Sequence, residues 1–169
     1  MKDVRFRSLM DIVHRTWLAD VLDMDVNDEE GNWIGIDVVD EERGVELKAR
    51  ITGILSKNHH HFTVHDYQYS QFPKKYSDRT LFFALMKYEL AKPVKELQRS
   101  EVTENIVTKR EVVVVPWDAL SYLPISRPRT GPYRYVNKPD YEALMQRKDL
   151  IEIKTKKGPI YIAKSFLKG

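Results

Sequence analysis

Apolar residues recur at helical spacing at the start of the chain. Phe6, Leu9, Met10, Val13, Trp17 and Val21 fall on one stripe, which predicts an amphipathic helix from about residue 3 to 24. The polar turn "NDEEGN" ends it. The period then shortens. "WIGIDVVD" and "GVELKARI" are short, rich in Val and Ile, and separated by "EER" before Gly44, the pattern of an antiparallel hairpin. Thr63 followed by Asp66 suggests a capping box and a short helix to about Phe72, ahead of Pro73. "RTLFFALMKYEL" and "REVVVVPW" read as buried strands, the second closed by Pro116. "KPVKELQRSEVTENIV" follows neither period, and "WDALSYL" suits a helical turn. "PISRPRTGPYRYVNKP" reads as a Pro-rich surface loop and "DYEALMQR" as a short helix. "LIEIKTKKGPIYIAKSF" predicts a terminal hairpin turning at Lys157–Gly158. The order implies an α/β fold, a mixed central β-sheet flanked by helices.

Composition narrows the class. At 169 residues, 42% hydrophobic and 31% charged, the chain suits one globular domain spanning residues 1–169. No cysteine is present, which removes disulfides and thiolate metal sites and suits a reducing cytoplasm. No window is apolar enough for a membrane span, and charges through "MKDVRFRSLMDIVHR" argue against a secretory signal. The net charge of +3 says little, but Lys154, Lys156, Lys157, Lys164 and Lys168 cluster with no acid after Glu152. Such a segment suits phosphate contacts or a solvated basic tail.

The candidate chemistry lies in "GIDVVDEERGVELKARI". Side chains alternate along a strand, so Glu46 and Lys48 project from one face. A turn near Glu41 and Glu42 brings Asp37 opposite Glu46 or within a residue of it. Two carboxylates and an ammonium then meet at one point, where Mg²⁺, a hard cation favouring carboxylate oxygens, would bind. The Leu47 carbonyl is a further candidate metal ligand. A divalent ion there would polarise a phosphodiester, and Lys48 would orient the attacking water and offset the anionic transition state. The alternative is an ordinary surface hairpin with a cross-strand Glu–Lys pattern. A rival copy, Glu152 and Lys154 in "DLIEIKTK", has only Asp149 ahead of it, with no room for a preceding strand and turn.

An Asp, a short loop and Glu-x-Lys on the next strand resemble the PD-(D/E)xK nuclease superfamily, with Ile36 where the motif often carries Pro. Over about residues 35–88 the order Asp, Glu-Leu-Lys and His-His-His is most similar to the PvuII-type restriction endonucleases. The resemblance implies a core of a helix, three strands, a helix and a further strand. It also implies Asp37 and Glu46 as metal ligands and Lys48 as the catalytic lysine, with Asp40 as the fallback acid.

His59, His60 and His61 cannot all face one way on a strand, which disfavours zinc. Imidazoles can read purine edges in a major groove, and the resemblance implies DNA contact there, His60 and His61 being the better placed. Lys57, Lys74, Lys75 and Arg79 flank them as candidate phosphate contacts. Gln68 and Gln71 are candidates for touching a substrate, whereas Tyr67, Tyr69, Tyr76 and Trp117 are expected to pack. The function expected is a Mg²⁺-dependent endodeoxyribonuclease of the type II restriction class. It would leave 5′-phosphate and 3′-hydroxyl ends on double-stranded DNA, working as a homodimer with the first helix as the dimer element or buried in the monomer core. A homing or junction-resolving endonuclease, a non-cleaving DNA-binding protein on the same fold, and an α/β protein unrelated to nucleic acid are the alternatives.

Overall fold

The computed structural model describes residues 1–27, 35–52 and 62–167. The chain opens with helix α1 (Asp3–Leu22), then strands β1 (Asp25–Val26), β2 (Val38–Val39) and β3 (Arg43–Ile51). After β4 (Phe62–His65) comes helix α2 (Asp66–Lys75), then the long strands β5 (Thr80–Leu90) and β6 (Val107–Pro116). Short strands β7 (Ile125–Ser126) and β8 (Tyr133–Val136) lead to helix α3 (Lys138–Met145). The terminal hairpin is β9 (Leu150–Thr155) and β10 (Gly158–Ala163), followed by helix α4 (Lys164–Leu167).

Among the described residues, β1-β2-β3-β5-β6-β10-β9 form a seven-stranded mixed sheet and β4-β8-β7 a smaller one. The strands from β1 to β3 run antiparallel to their neighbours, with Val38 opposite Val45 and Val39 opposite Gly44. Strand β5 then lies parallel to β3, with Glu46 beside Phe83 and Lys48 beside Leu85. A parallel neighbour needs a crossover, and the segment carrying α2 supplies it.

Alternation divides each long strand between two cores. Val45, Leu47, Phe82, Ala84, Val112, Val114 and Ile160 face Phe6, Met10, Leu18 and Leu22 of α1. Phe83, Leu85, Val113 and Val115 face the smaller sheet and Tyr141 and Leu144 of α3. Both sides of β5 and β6 are thus covered, which explains why their sequences read as unbroken apolar runs. The apolar face of α1 is taken up by the monomer core rather than left for a partner, although Val4 and Ile12 remain exposed.

Three local expectations are corrected. Thr63 lies in β4 and caps nothing; α2 starts at Asp66 after His65, with no side-chain cap. The helix also continues through Pro73 to Lys75. Proline has no N–H for the Tyr69 carbonyl four residues earlier, and the Trp117 indole N–H donates to that oxygen at 3.0 Å instead. Finally, the Pro-rich stretch holds β7 and β8, and Tyr133–Val136 pairs with His65–Phe62. The unclassified segment before β6 forms three short 3₁₀ turns between Val94 and Ile106.

The terminal hairpin turns on Lys156 and Lys157, and Gly158 opens β10 at φ +139°. A Cβ there would sit 2.1 Å from the Arg110 carbonyl oxygen, so only glycine fits.

Candidate functional site

Strand β2 ends its ladder with β3 at Val38, one residue short of Glu46. Beyond that point no strand among the described residues lies opposite the Leu47 N–H, and the Asp37 side chain takes the place of one. Its Oδ2 accepts from the Leu47 N–H at 2.8 Å. The Asp37 backbone is held by Asn27, whose N–H donates to the Asp37 carbonyl at 3.0 Å. A strand residue turns its N–H and C=O to the same side, so the Leu47 carbonyl also faces this gap.

Glu46 and Lys48 project from the face that carries α2. The Lys48 ammonium donates to Glu46 Oε2 at 2.9 Å and to the Gln68 side-chain oxygen at 2.7 Å. From the α1 side come Asp11 and Arg15, whose Nε lies 3.2 Å from Asp11 Oδ2 and 4.0 Å from Asp37 Oδ1. The predicted trio of Asp37, Glu46 and Lys48 is therefore brought together, with Asp11, Arg15 and Gln68 as additional members.

Enclosure sets the electrostatics. Asp37 is 4% exposed and Glu46 2%, while the Lys48 side chain retains 18%. Burial pushes the Asp37 pKa well above the usual carboxylate range; the Glu46 charge, a hydrogen bond between the two carboxyls and Asp11 add to the rise against the pull of Lys48. Burial likewise raises Asp11, with Glu46 contributing and Arg15 opposing. For Lys48, burial disfavours the ammonium, but Glu46, Asp37 and Asp11 outweigh it and hold the pKa above its ordinary value. Three carboxyls face two cations, Lys48 and Arg15, so the fully ionised cluster carries excess negative charge. Glu46 Oε1 is buried with no N–H or hydroxyl donor on it, and the Glu46 carboxylate lies within hydrogen-bond reach of the Asp37 carboxyl.

These features fit a hard divalent cation. Two adjacent buried carboxyls that cannot both ionise comfortably and a carbonyl turned to the same gap are the donor set such a cation would take. Among the described residues, no three acidic or imidazole side chains form a cage that could hold a metal ion.

The other sequence candidates separate clearly. Asp40 turns away from the cluster and closes the β2–β3 turn. Its carboxylate accepts from the Glu42 N–H at 2.9 Å and from Arg43 Nε at 2.8 Å, so it is not a second metal acid. The rival Glu152 and Lys154 lie exposed on β9, and Asp149 is paired with Arg147 at 2.9 Å, so no second cluster forms. Lys74 and Lys75 are exposed on the last turn of α2, Lys75 lying over the Tyr76 ring. Arg79 donates from Nε to the Asp40 carbonyl at 2.8 Å, a structural contact beside the turn. Lys57, His59, His60 and His61 lie outside the described residues. Tyr69 and Tyr76 pack as expected, but Tyr67 is 55% exposed. Gln71 is half-buried.

A cleft of about 670 Å³ opens near the start of β5 and the end of β6, lined by Arg79, Trp117, Arg147 and Asp149 among others. Asp37, Glu46 and Lys48 are not in its wall, so cleft and carboxylate cluster are separate features.

Asp11 and Arg15 were not picked out from the sequence. They stand four apart on α1 beside the apolar stripe, a spacing equally suited to an exposed helical ion pair. No family model matches the chain, and no curated protein or solved structure matches it either.

Proposed function

We propose that this protein is a Mg²⁺-dependent endodeoxyribonuclease, hydrolysing double-stranded DNA to 5′-phosphate and 3′-hydroxyl ends. The observation that carries the reading is the buried meeting of Asp37, Glu46 and Lys48, two carboxyls against each other with the ammonium on one of them. The element order adds support. The chain runs α1, β1, β2, β3, α2 and β5, the helix, three strands, helix and further strand expected of the PD-(D/E)xK core, with β4 inserted before α2. The exposed Lys74 and Lys75, on the same helix as Gln68, offer phosphate contacts nearby.

Asp37, Glu46 and the Leu47 carbonyl would hold the cation, which would supply Lewis-acid polarisation of the phosphodiester and a more acidic bound water. The chain's own groups do the rest. Asp37 is fixed by the Leu47 N–H through Oδ2, so its Oδ1 is aimed without rotamer freedom. Lys48 is fixed between Glu46 and Gln68, and its raised pKa keeps it an ammonium. It therefore acts as a donor and a positive charge beside the phosphate, not as a general base. As the most exposed of the three, Lys48 marks the side from which a phosphate reaches the carboxylates.

The test is cleavage of supercoiled plasmid in Mg²⁺ by wild type, Lys48→Ala and Glu46→Gln. Wild type nicks or linearises the plasmid, and each variant is slower by roughly 100-fold or more, the usual scale for losing one preorganised electrostatic contact. Equal cleavage by all three proteins rejects this site. Salt-dependent gel shifts in Ca²⁺ without cleavage in Mg²⁺ would assign DNA binding alone.

A further inference from the structure

Strand β9 is the terminal strand of the large sheet, and its outer edge pairs with no strand among the described residues. An exposed strand edge is a template for another strand unless the chain blocks it. On β9, Ile151 and Ile153 are each 38% exposed, and Glu152 and Lys154 are exposed between and beside them. We propose that this edge is a self-association surface, pairing antiparallel with β9 of a second copy of this chain about a two-fold axis at Ile153.

The parity of the hydrogen bonds selects the register. Ala163 lies opposite Leu150, and beyond that pair the Lys164 N–H donates to the Asp149 carbonyl at 2.8 Å. Inward-pointing groups alternate along an antiparallel strand, so Ile151, Ile153 and Thr155 also turn their backbone groups to β10. Leu150, Glu152 and Lys154 turn theirs outward. A second β9 must match outward groups with outward groups, which leaves few two-fold registers. An axis at Glu152 sets Glu152 against its own mate, and an axis at Lys154 does the same with two ammonium groups. An axis at Ile153 instead places each Glu152 opposite the Lys154 of the second copy. Two reciprocal ion pairs then form on one face, and Ile153 meets its mate on the other.

Charge on an edge strand can also serve to repel other strands. Repulsion needs like charges opposite one another, whereas "EIK" is self-complementary about its central residue. The second Glu-x-Lys of the chain, unused by the cluster at Glu46, thereby acquires a role. Under the nuclease reading, such a dimer relates two catalytic sites by a two-fold axis, as cutting both strands of a duplex requires. The pairing itself does not depend on that reading.

Because the chain has no cysteine, a single introduced thiol reports the register. In the proposed dimer, Ile153 and its mate form a non-hydrogen-bonded pair about 4.5 Å apart at Cα. Residue 151 lies about four positions from its own mate, roughly 13 Å, too far for a disulfide. We expect Ile153→Cys to form a covalent dimer under mild oxidation and Ile151→Cys to stay monomeric. In sedimentation equilibrium, wild type shows mass rising from 19.9 kDa toward twice that value with concentration. Glu152→Lys and Lys154→Glu each weaken dimerisation by roughly tenfold, and the double exchange restores it. Circular dichroism confirms that each variant is folded. A monomer at all concentrations, equal cross-linking at both positions, or failure of the double exchange to rescue overturns the proposal.

Discussion

Acidification should destabilise the packing of α1 through His14. This imidazole is 2% exposed and lies against the Tyr88 ring at 4.3 Å. Arg110 Nη2 lies 3.2 Å from His14 Nδ1; since a guanidinium can only donate, Nδ1 is the acceptor and the ring is neutral. Burial, reinforced by the Arg110 charge, lowers the His14 pKa from 6.5 to about 3. Arg110 is itself locked in place, paired with Glu104 and lying 4.3 Å over the Trp17 ring. A second cation there has nowhere to go. The folded pKa lies below the unfolded one, so the unfolded chain binds more protons between them, and stability falls as pH drops from 6.5 toward 3. At pH 5, about 1.5 units below the unfolded value, the loss is about 2 kcal/mol. Urea unfolding of wild type and His14→Asn at pH 7 and pH 5 isolates this effect, because the amide oxygen still accepts from Arg110 and does not titrate. Wild type should lose about 2 kcal/mol more than the variant, roughly 1 M in midpoint. Parallel losses in both proteins would refute the neutral, enclosed imidazole.

The carboxylate cluster gives a second expectation. Asp37 has a folded pKa above its unfolded value, so without a divalent ion its contribution to stability is lost as pH rises above 3.8. Asp37→Asn keeps an oxygen for the Leu47 N–H but removes the charge. Its metal-free Tm at pH 7 should exceed that of wild type by about 2–4 °C, while Mg²⁺ should no longer raise it. A lower metal-free Tm would mean that the carboxylate is already well compensated. At the terminal hairpin, Gly158→Ala drives a Cβ into the Arg110 carbonyl. It should cost roughly 3 kcal/mol or more in urea unfolding, and a loss below 1 kcal/mol would show that the turn can move aside.

How much of this was legible in the chain depended on whether the signal was local. Strands β5 and β6 were plain because a strand covered on both faces keeps its apolar character at every position. The meeting of Asp37 with Glu46 and Lys48 followed from strand alternation and turn length, both local quantities. Asp11, Arg15 and Gln68 reach the site from two other elements, so only the packing of α1 and α2 around the sheet reveals them. Strands β7 and β8 were hidden by Pro124, Pro128 and Pro132 between them and around them. The residues of β8 pair outward to β4, some seventy positions earlier. The helix through Pro73 depended on Trp117 arriving from the far end of β6 to take up the freed carbonyl.

Asp37 does two jobs with two oxygens, one serving as the missing mate of a strand peptide and the other facing the acidic cluster. The first of these jobs constrains the position independently of any chemistry at the cluster. Aliphatic replacements would leave the Leu47 amide stranded in a dry interior, so selection for folding alone would tolerate asparagine and reject alanine or valine. The backbone thus holds an acid or its amide at this position for its own sake, whatever the cluster beside it does.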